Sequence, residues 1–395
     1  MNTSTSNQPA HKLVLTAAYY LSFIMLGLLA AAEGPALPGL AENTSSTLDQ
    51  ISLIFVFGAL GYLLGSLLGG NAYDRVPGHR IVSFTLLTIT VCTALIPFMH
   101  SLWSLLLVLL ILGLAKGALD TGGNTLLLWV HGEKVGPFMN GLHFCFGLGA
   151  ALSPLILARV LVLTGGIQWV FWLFALLSLP LAVWLWLLSE PPERDDNAQE
   201  NGKAPFLIVP VTLLVLAFLL YVGAEVGFGN WIYTYAITVG LGTDITAAYL
   251  TSAFWGTFTL GRLLGIGIST RLRPATILIT DLLGCLVSLV VILLWQDSAI
   301  ALWAGAIGLG LSMASVFPTI LVLAGERMRI TGAMTGWFLA GASIGSMTLP
   351  WVMGQAFVRI DAGTMPMLVL AALVANLLVI LFFLSRPALK FEPAN

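Results

Sequence analysis

Apolar runs of 20 to 30 residues, separated by short polar turns, recur along the chain from Lys12 to Ser385. About 20 apolar residues suffice to cross the hydrocarbon core of a bilayer as a helix. The pattern predicts twelve such helices, over 12–37, 48–73, 80–99, 101–130, 136–163, 167–189, 206–235, 245–270, 274–295, 298–324, 331–357 and 362–385. One connection differs from the rest. Residues 190–205 are polar and hold five acidic side chains. They divide the chain into an N-terminal bundle over 1–189 and a C-terminal bundle over 206–395, with 190–205 as a cytoplasmic linker. The expected fold is all-α and integral to the membrane: twelve transmembrane helices in two pseudo-symmetric six-helix bundles.

Composition agrees with the pattern. Hydrophobic residues make up 58% of the 395 and charged residues 9%, against about 25% charged in a soluble domain. The net charge of −2 speaks against nucleic acid as a partner. Cys92, Cys145 and Cys285 all fall in apolar runs, with no disulfide or metal spacing. The first apolar run is too long for a cleaved leader and is expected to be retained. Lysines and arginines then orient the chain, since they collect on the cytoplasmic side. With the N-terminus inside, the inner loops hold Lys12, Arg75, Arg80, Lys134, Arg194, Lys203, Arg271, Arg273, Arg327, Arg329, Arg386 and Lys390. The outer ends hold only Arg159 and Arg359. A multi-pass protein of the cell membrane with both termini cytoplasmic is expected, read as a monomer in the lipid bilayer.

The halves also match each other. Gly65-Ser-Leu-Leu-Gly69, before Arg75, has a counterpart in Gly261-Arg-Leu-Leu-Gly265, before Arg271, at an offset of 196. The same offset pairs Gly149 with Gly345 and Pro154 with Pro350. Parallel repeats imply a pseudo-two-fold axis along the membrane normal and a substrate site near mid-bilayer between the halves.

The fourth run breaks the apolar rule at its centre. Lys116, Asp120 and Asn124 are spaced by four and so share one helical face. A charge at mid-bilayer costs about 2.5–3.5 kcal/mol on insertion scales, so this face is expected to turn toward a polar interior. Lys116 has two readings: a countercharge that stabilises ionised Asp120, or a side chain that snorkels from a vestibule. Asp120, Thr121 and Asn124 collect oxygens within one turn, a set that could hold Na+ or, equally, a proton. Glu33 in the first helix is a further coupling candidate. Asn140 and His143 share a face of the fifth helix and could bond a solute or a neighbouring helix. In the C-terminal half Tyr221, Glu225 and Trp231, with Trp255, Trp337 and Phe338, could form an aromatic and polar wall for a sugar, or simple helix packing. Arg262 reads as a gating brace.

These features resemble the major facilitator superfamily over essentially the whole chain. Gly70-Asn-Ala-Tyr-Asp74-Arg75-Val-Pro-Gly78-His-Arg80 is similar to that family's cytoplasmic signature loop, with one extra residue between Arg75 and Gly78. The resemblance implies a gating role for Asp74, Arg75 and Arg80. Within the superfamily, Asp120-Thr-Gly-Gly-Asn124 resembles the Glu-Thr-Ala-Ala-Asn of the fucose/proton symporter type and of the related sodium-dependent glucose transporters. Asn140-Gly-Leu-His143 and Val316-Phe-Pro318-Thr319 resemble further segments of that branch. Cys145-Phe146-Gly147 departs from it where the family carries an amide.

The expected function is secondary active transport: symport of a hexose-type sugar with Na+ or H+ by alternating access, with no cofactor beyond the coupling ion. The substrate is a small polar solute. A proton-coupled exporter of drugs or lipids is the alternative. An enzyme is not expected: no HExxH or phosphate-loop motif occurs, and His143 and Cys145, two apart on a helix, diverge.

Overall fold

In the computed structural model, residues 8–73, 75–189, 208–328 and 330–386 are described. They form helices and no strands. In order, these are α1 (Gln8–Asn43), α2 (Leu48–Ile51), α3 (Leu53–Tyr73), α4 (Gly78–Leu95), α5 (Leu102–His131), α6 (Val135–Thr164) and α7 (Gln168–Leu187). There follow α8 (Ile208–Thr238), α9 (Asp244–Ser269), α10 (Pro274–Leu294), α11 (Ala299–Met313), α12 (Val316–Arg327), α13 (Gly332–Arg359) and α14 (Thr364–Ser385). Among the described residues, ten helical stretches are long and apolar enough to cross a membrane. The two further expected spans, α9 and α13, are helical but richer in Gly, Ser and Thr.

Two expected spans are broken. The second divides at Ser52, whose hydroxyl donates to the Asp49 carbonyl at 2.6 Å and closes α2 before α3 begins. The tenth divides at Ala314–Ser315, between α11 and α12. Pro318 explains the second break. It has no N–H to bond the Ala314 carbonyl, and its ring crowds the turn before it.

The chain clusters into two compact units. One comprises Met1–Ser46 and Phe57–Gln199; the other comprises Thr47–Val56 and Glu200–Asn395. Residues 47–56 thus group with the second unit rather than with the first six helices. There, Gln355 donates to the Asp49 carbonyl at 2.8 Å, and Phe55 lies against Trp231 with ring centroids 6.2 Å apart. The expected linker at 190–205 lies outside the described residues, as does Asp74.

Glycine seams hold each unit together, because lipid supplies no hydrophobic drive between helices and association depends on close packing. In the first unit, α3 and α5 meet at Gly61, Gly65, Gly113 and Gly117, each of which has a backbone carbonyl of the partner helix where a Cβ would stand. Gly27 and Gly149 do the same between α1 and α6. The second unit repeats the device. Gly341 and Gly345 of α13 sit on the Val215 and Leu219 carbonyls of α8, and Gly261 and Gly310 join α9 to α11. Gly149 and Gly345, paired by the sequence offset, therefore occupy equivalent seams.

Gly117→Ala would drive a methyl group into the Tyr62 carbonyl, and overpacking of this kind costs about 1–3 kcal/mol. Gly58→Ala meets open space on the same helix pair. Thermal melting of the purified protein is expected to fall clearly for Gly117→Ala and to stay near wild type for Gly58→Ala; equal melting would remove the seam argument.

Candidate functional site

The polar groups of the first unit gather where α1, α3 and α6 surround α5. Gly113 and Gly117 admit the α3 backbone beside Lys116, so the lysine is only 7% exposed. An ammonium so placed requires a partner. Glu33 of α1 supplies it: Lys116 Nζ donates to Glu33 Oε1 at 2.5 Å. This is the one ion pair among the described residues. Of the two sequence readings of Lys116, neither describes this arrangement: the lysine pairs with Glu33, and neither partners Asp120 nor reaches for a vestibule.

Asp120 is consequently left with neutral neighbours. Asn124 Nδ2 donates to its Oδ1 at 3.3 Å and to its backbone carbonyl at 2.9 Å. The Tyr62 hydroxyl, from α3, lies near the carboxylate. The carboxylate is half-buried. Thr121 does not join it. Its hydroxyl donates to the Gly117 carbonyl at 3.1 Å and points toward the Ser66 carbonyl on α3 at 3.4 Å. Adjacent helix residues project about 100° apart, so one turn of sequence does not make one ligand shell. A cage of Asp120, Thr121 and Asn124 is therefore not assembled in this conformation.

On α6, Asn140 and His143 are exposed. The His143 ring meets Phe23 of α1 edge-on, with centroids 6.1 Å apart. Phe23 in turn fills the space that Gly123 leaves on α5. Phe23 thus stands between Gly123 of α5 and His143 of α6. At the junction of α3 and α4, Arg75 and Arg80 are exposed.

The aromatic wall expected in the second unit is mostly packed core. Tyr221 is fully buried, and its hydroxyl donates to the Met313 carbonyl at 2.6 Å. Trp231 is fully buried, and Nε1 donates to the Pro350 carbonyl at 2.9 Å. Phe338 is buried and stacks on Phe218. These three are buried among their own helices, so here they brace α8 against its neighbours. Trp255 differs. It is packed by Phe254 and Phe258, yet its buried indole N–H finds no acceptor among the described residues. Trp337 is largely exposed. Glu225 is half-buried beside Tyr221 and lies in the field of Arg262 without forming an ion pair. The Arg262 guanidinium rests on the Phe258 ring, 4.5 Å from its centroid, which fits a brace.

Two residues escaped the sequence reading. Tyr62 brings a hydroxyl near Asp120, and its signal was a tyrosine set within the glycine spacing of α3. Asp281 is the sole charged residue of α10; the rule that singled out Asp120 applies to it equally. Gly341-Ala-Ser343-Ile-Gly345 has the spacing of a hydrolase nucleophile elbow. It lies in the middle of α13, whereas that elbow requires a strand-to-helix turn.

Comparison with known proteins places this geometry in context. The profile of the Major Facilitator Superfamily matches residues 19–350. The human sodium-dependent glucose transporter 1 is 32% identical over 370 residues, covering 84% of this chain and 71% of the relative. The mouse sodium-dependent glucose transporter 1A is 31% identical over 374 residues, covering 85% and 88%. The human major facilitator superfamily domain-containing protein 4A is 28% identical over 442 residues, covering 87% and 86%. Among solved structures, a D-xylose-proton symporter superposes with a TM-score of 0.77 at 13% identity, covering 94% of this chain and 97% of the other. A nucleoside transporter gives the same TM-score and identity, covering 94% and 99%. At that identity the likeness concerns fold alone.

Lys116→Met strands a carboxylate in the bundle. Breaking a buried pair costs about 3–5 kcal/mol, and the lower end is expected because the Glu33 side chain keeps 24% of its surface exposed. Lys116→Met combined with Glu33→Gln should recover most of the loss. A double-mutant cycle on melting stability measures the coupling; additive losses would deny the pair any energetic role.

Proposed function

The chain belongs to the Major Facilitator Superfamily, and from that premise we propose that it is a secondary active transporter coupling the movement of a hexose-type sugar to a cation gradient by alternating access. It is a multi-pass membrane protein; we place both termini on the cytoplasmic side. The observation that carries the reading is the state of Asp120. It is a carboxylate in the middle of a membrane helix, bonded by the Asn124 amide, while the lysine one turn away is already spent on Glu33. Such a group has a structural excuse only if it meets something that changes: a proton, a cation or a hydroxylated solute. Amide and carboxylate together offer the paired donors and acceptors that sugar hydroxyls need. The relatives named as sodium-dependent glucose transporters, which align along most of this chain, support both the sugar class and the coupling. Asn124, exposed Asn140 and His143 are the further candidates for solute contact in this unit.

Asp120 is assigned the coupling role, with Na+ or H+ as its ion. The rival, an exporter of drugs or lipids, calls for a mostly apolar route, and the polar face of α5 does not favour it. The decisive measurement is uptake of labelled hexoses into proteoliposomes under imposed sodium and proton gradients. Wild type is expected to concentrate a hexose under one of the gradients. Asp120→Asn is expected to lose concentrative uptake, by at least tenfold, while retaining its fold by thermal melting. Undiminished concentrative uptake by Asp120→Asn would take coupling away from this residue. Stabilisation by lipophilic cations but by no sugar would favour the exporter.

A further inference from the structure

We propose that the break in the tenth span builds a second monovalent-cation site, for sodium, from Asp281, Ser312 and Ser315 in the C-terminal unit. The proposal rests on the cation-coupled reading above but is separable from the sugar.

Three observations carry it. The first is a charge without a counterion. Asp281 is the eighth of the 21 residues of α10 and is half-buried. The one ion pair among the described residues is in the other unit, so no lysine or arginine among them is paired with it. Arg262, the intramembrane cation of the same unit, is seated on Phe258 instead. A carboxylate in hydrocarbon must be compensated by a positive charge or a proton.

The second observation is a pair of hydroxyls aimed across the α10–α11 contact. Ser315, in the broken turn, donates through Oγ to Asp281 Oδ2. One turn along both elements, Gly284 leaves a space that Ser312 enters. Its Oγ stands 2.5 Å from where a Cβ at Gly284 would lie. Neither hydroxyl is returned to its own helix. Ser288, Thr257 and Thr259 of the same unit do return theirs, each donating at 2.8 Å to the carbonyl four residues earlier. The Ser312 hydroxyl makes no hydrogen bond among the described residues.

The third observation is the break itself. Pro318 leaves the Ala314 carbonyl without its helical donor. The neighbouring carbonyls are taken: Met313 by the Tyr221 hydroxyl at 2.6 Å, and Ser315 by the Thr319 hydroxyl at 2.6 Å. Interrupted membrane helices use freed carbonyls and the negative ends of half-helices to hold coupling cations. α11 ends at this point. One carboxylate, two hydroxyls and a carbonyl are hard oxygen donors. Their net charge of −1 is cancelled by a monovalent ion, whereas a divalent ion would leave an excess positive charge in the membrane. Cys285, a turn from Asp281, is a soft donor and is not assigned to the site.

The test uses the purified full-length protein. Melting temperature is followed as NaCl replaces choline chloride at constant ionic strength, for wild type, D120N, D281N and the double variant S312A/S315A. A cation that binds only the folded state raises the melting temperature. D120N is expected to keep a sodium-dependent rise, because the second site is intact. D281N and S312A/S315A, each made also in the D120N background, are expected to need at least tenfold more sodium for the half-maximal rise or to lose it. If D281N does not fold, S312A/S315A decides alone. A sodium titration unchanged by these substitutions overturns the site, as does a D120N protein with no sodium response. Wild type that responds to sodium through Asp281 yet transports no hexose leaves the site standing and overturns the sugar.

Discussion

Lys116 can be buried in this protein only because Glu33 reaches it, and that ion pair sets the chemistry of everything around it. An ammonium in an apolar bundle is costly until a carboxylate meets it. Glu33 comes from another helix, so the pair also ties α1 to α5. Its second effect is on Asp120, one turn along. With the lysine engaged elsewhere, Asp120 has only neutral groups, Tyr62 and Asn124, beside it. The pair thus separates a charge with a fixed structural partner from a charge that is free to exchange one.

This separation depends on the backbone packing beneath it. Gly113 and Gly117 bracket Lys116, and each takes an α3 carbonyl at the position of its missing side chain. Larger residues there would hold α3 away and remove Tyr62 from Asp120. The glycines serve the polar site by serving the seam. Equivalent seams recur in the C-terminal unit, at Gly261 and Gly345, but there the polar groups sit differently. Tyr221 and Trp231 close on backbone carbonyls, Arg262 lies on an aromatic ring, and Asp281 of α10 takes a hydroxyl from beside a broken helix. The same scaffold, built twice, carries unlike chemistry in its two copies.

Much was legible in the sequence alone. Length of apolar run and the 196-residue offset pointed to membrane-spanning helices and to the doubling, because lipid permits few backbone solutions, and ten stretches among the described residues are long and apolar enough to cross. The same reasoning singled out Asp120, since a carboxylate in such a run stands out without any structure. What periodicity could not supply was partnership. Residues spaced by four share a face, but the sequence does not say which helix that face meets. Glu33, 83 residues from Lys116, became its partner only when α1 packed on α5. Tyr62 became a neighbour of Asp120 only through the glycine seam, and Thr121 was turned to Gly117 by the helical twist. Pro318 was visible from the start, but only the folded unit showed that the turn it opens faces Asp281. Composition and pattern decide that charges lie in the membrane; tertiary packing decides which are matched, because burial energy is settled between helices and not along them.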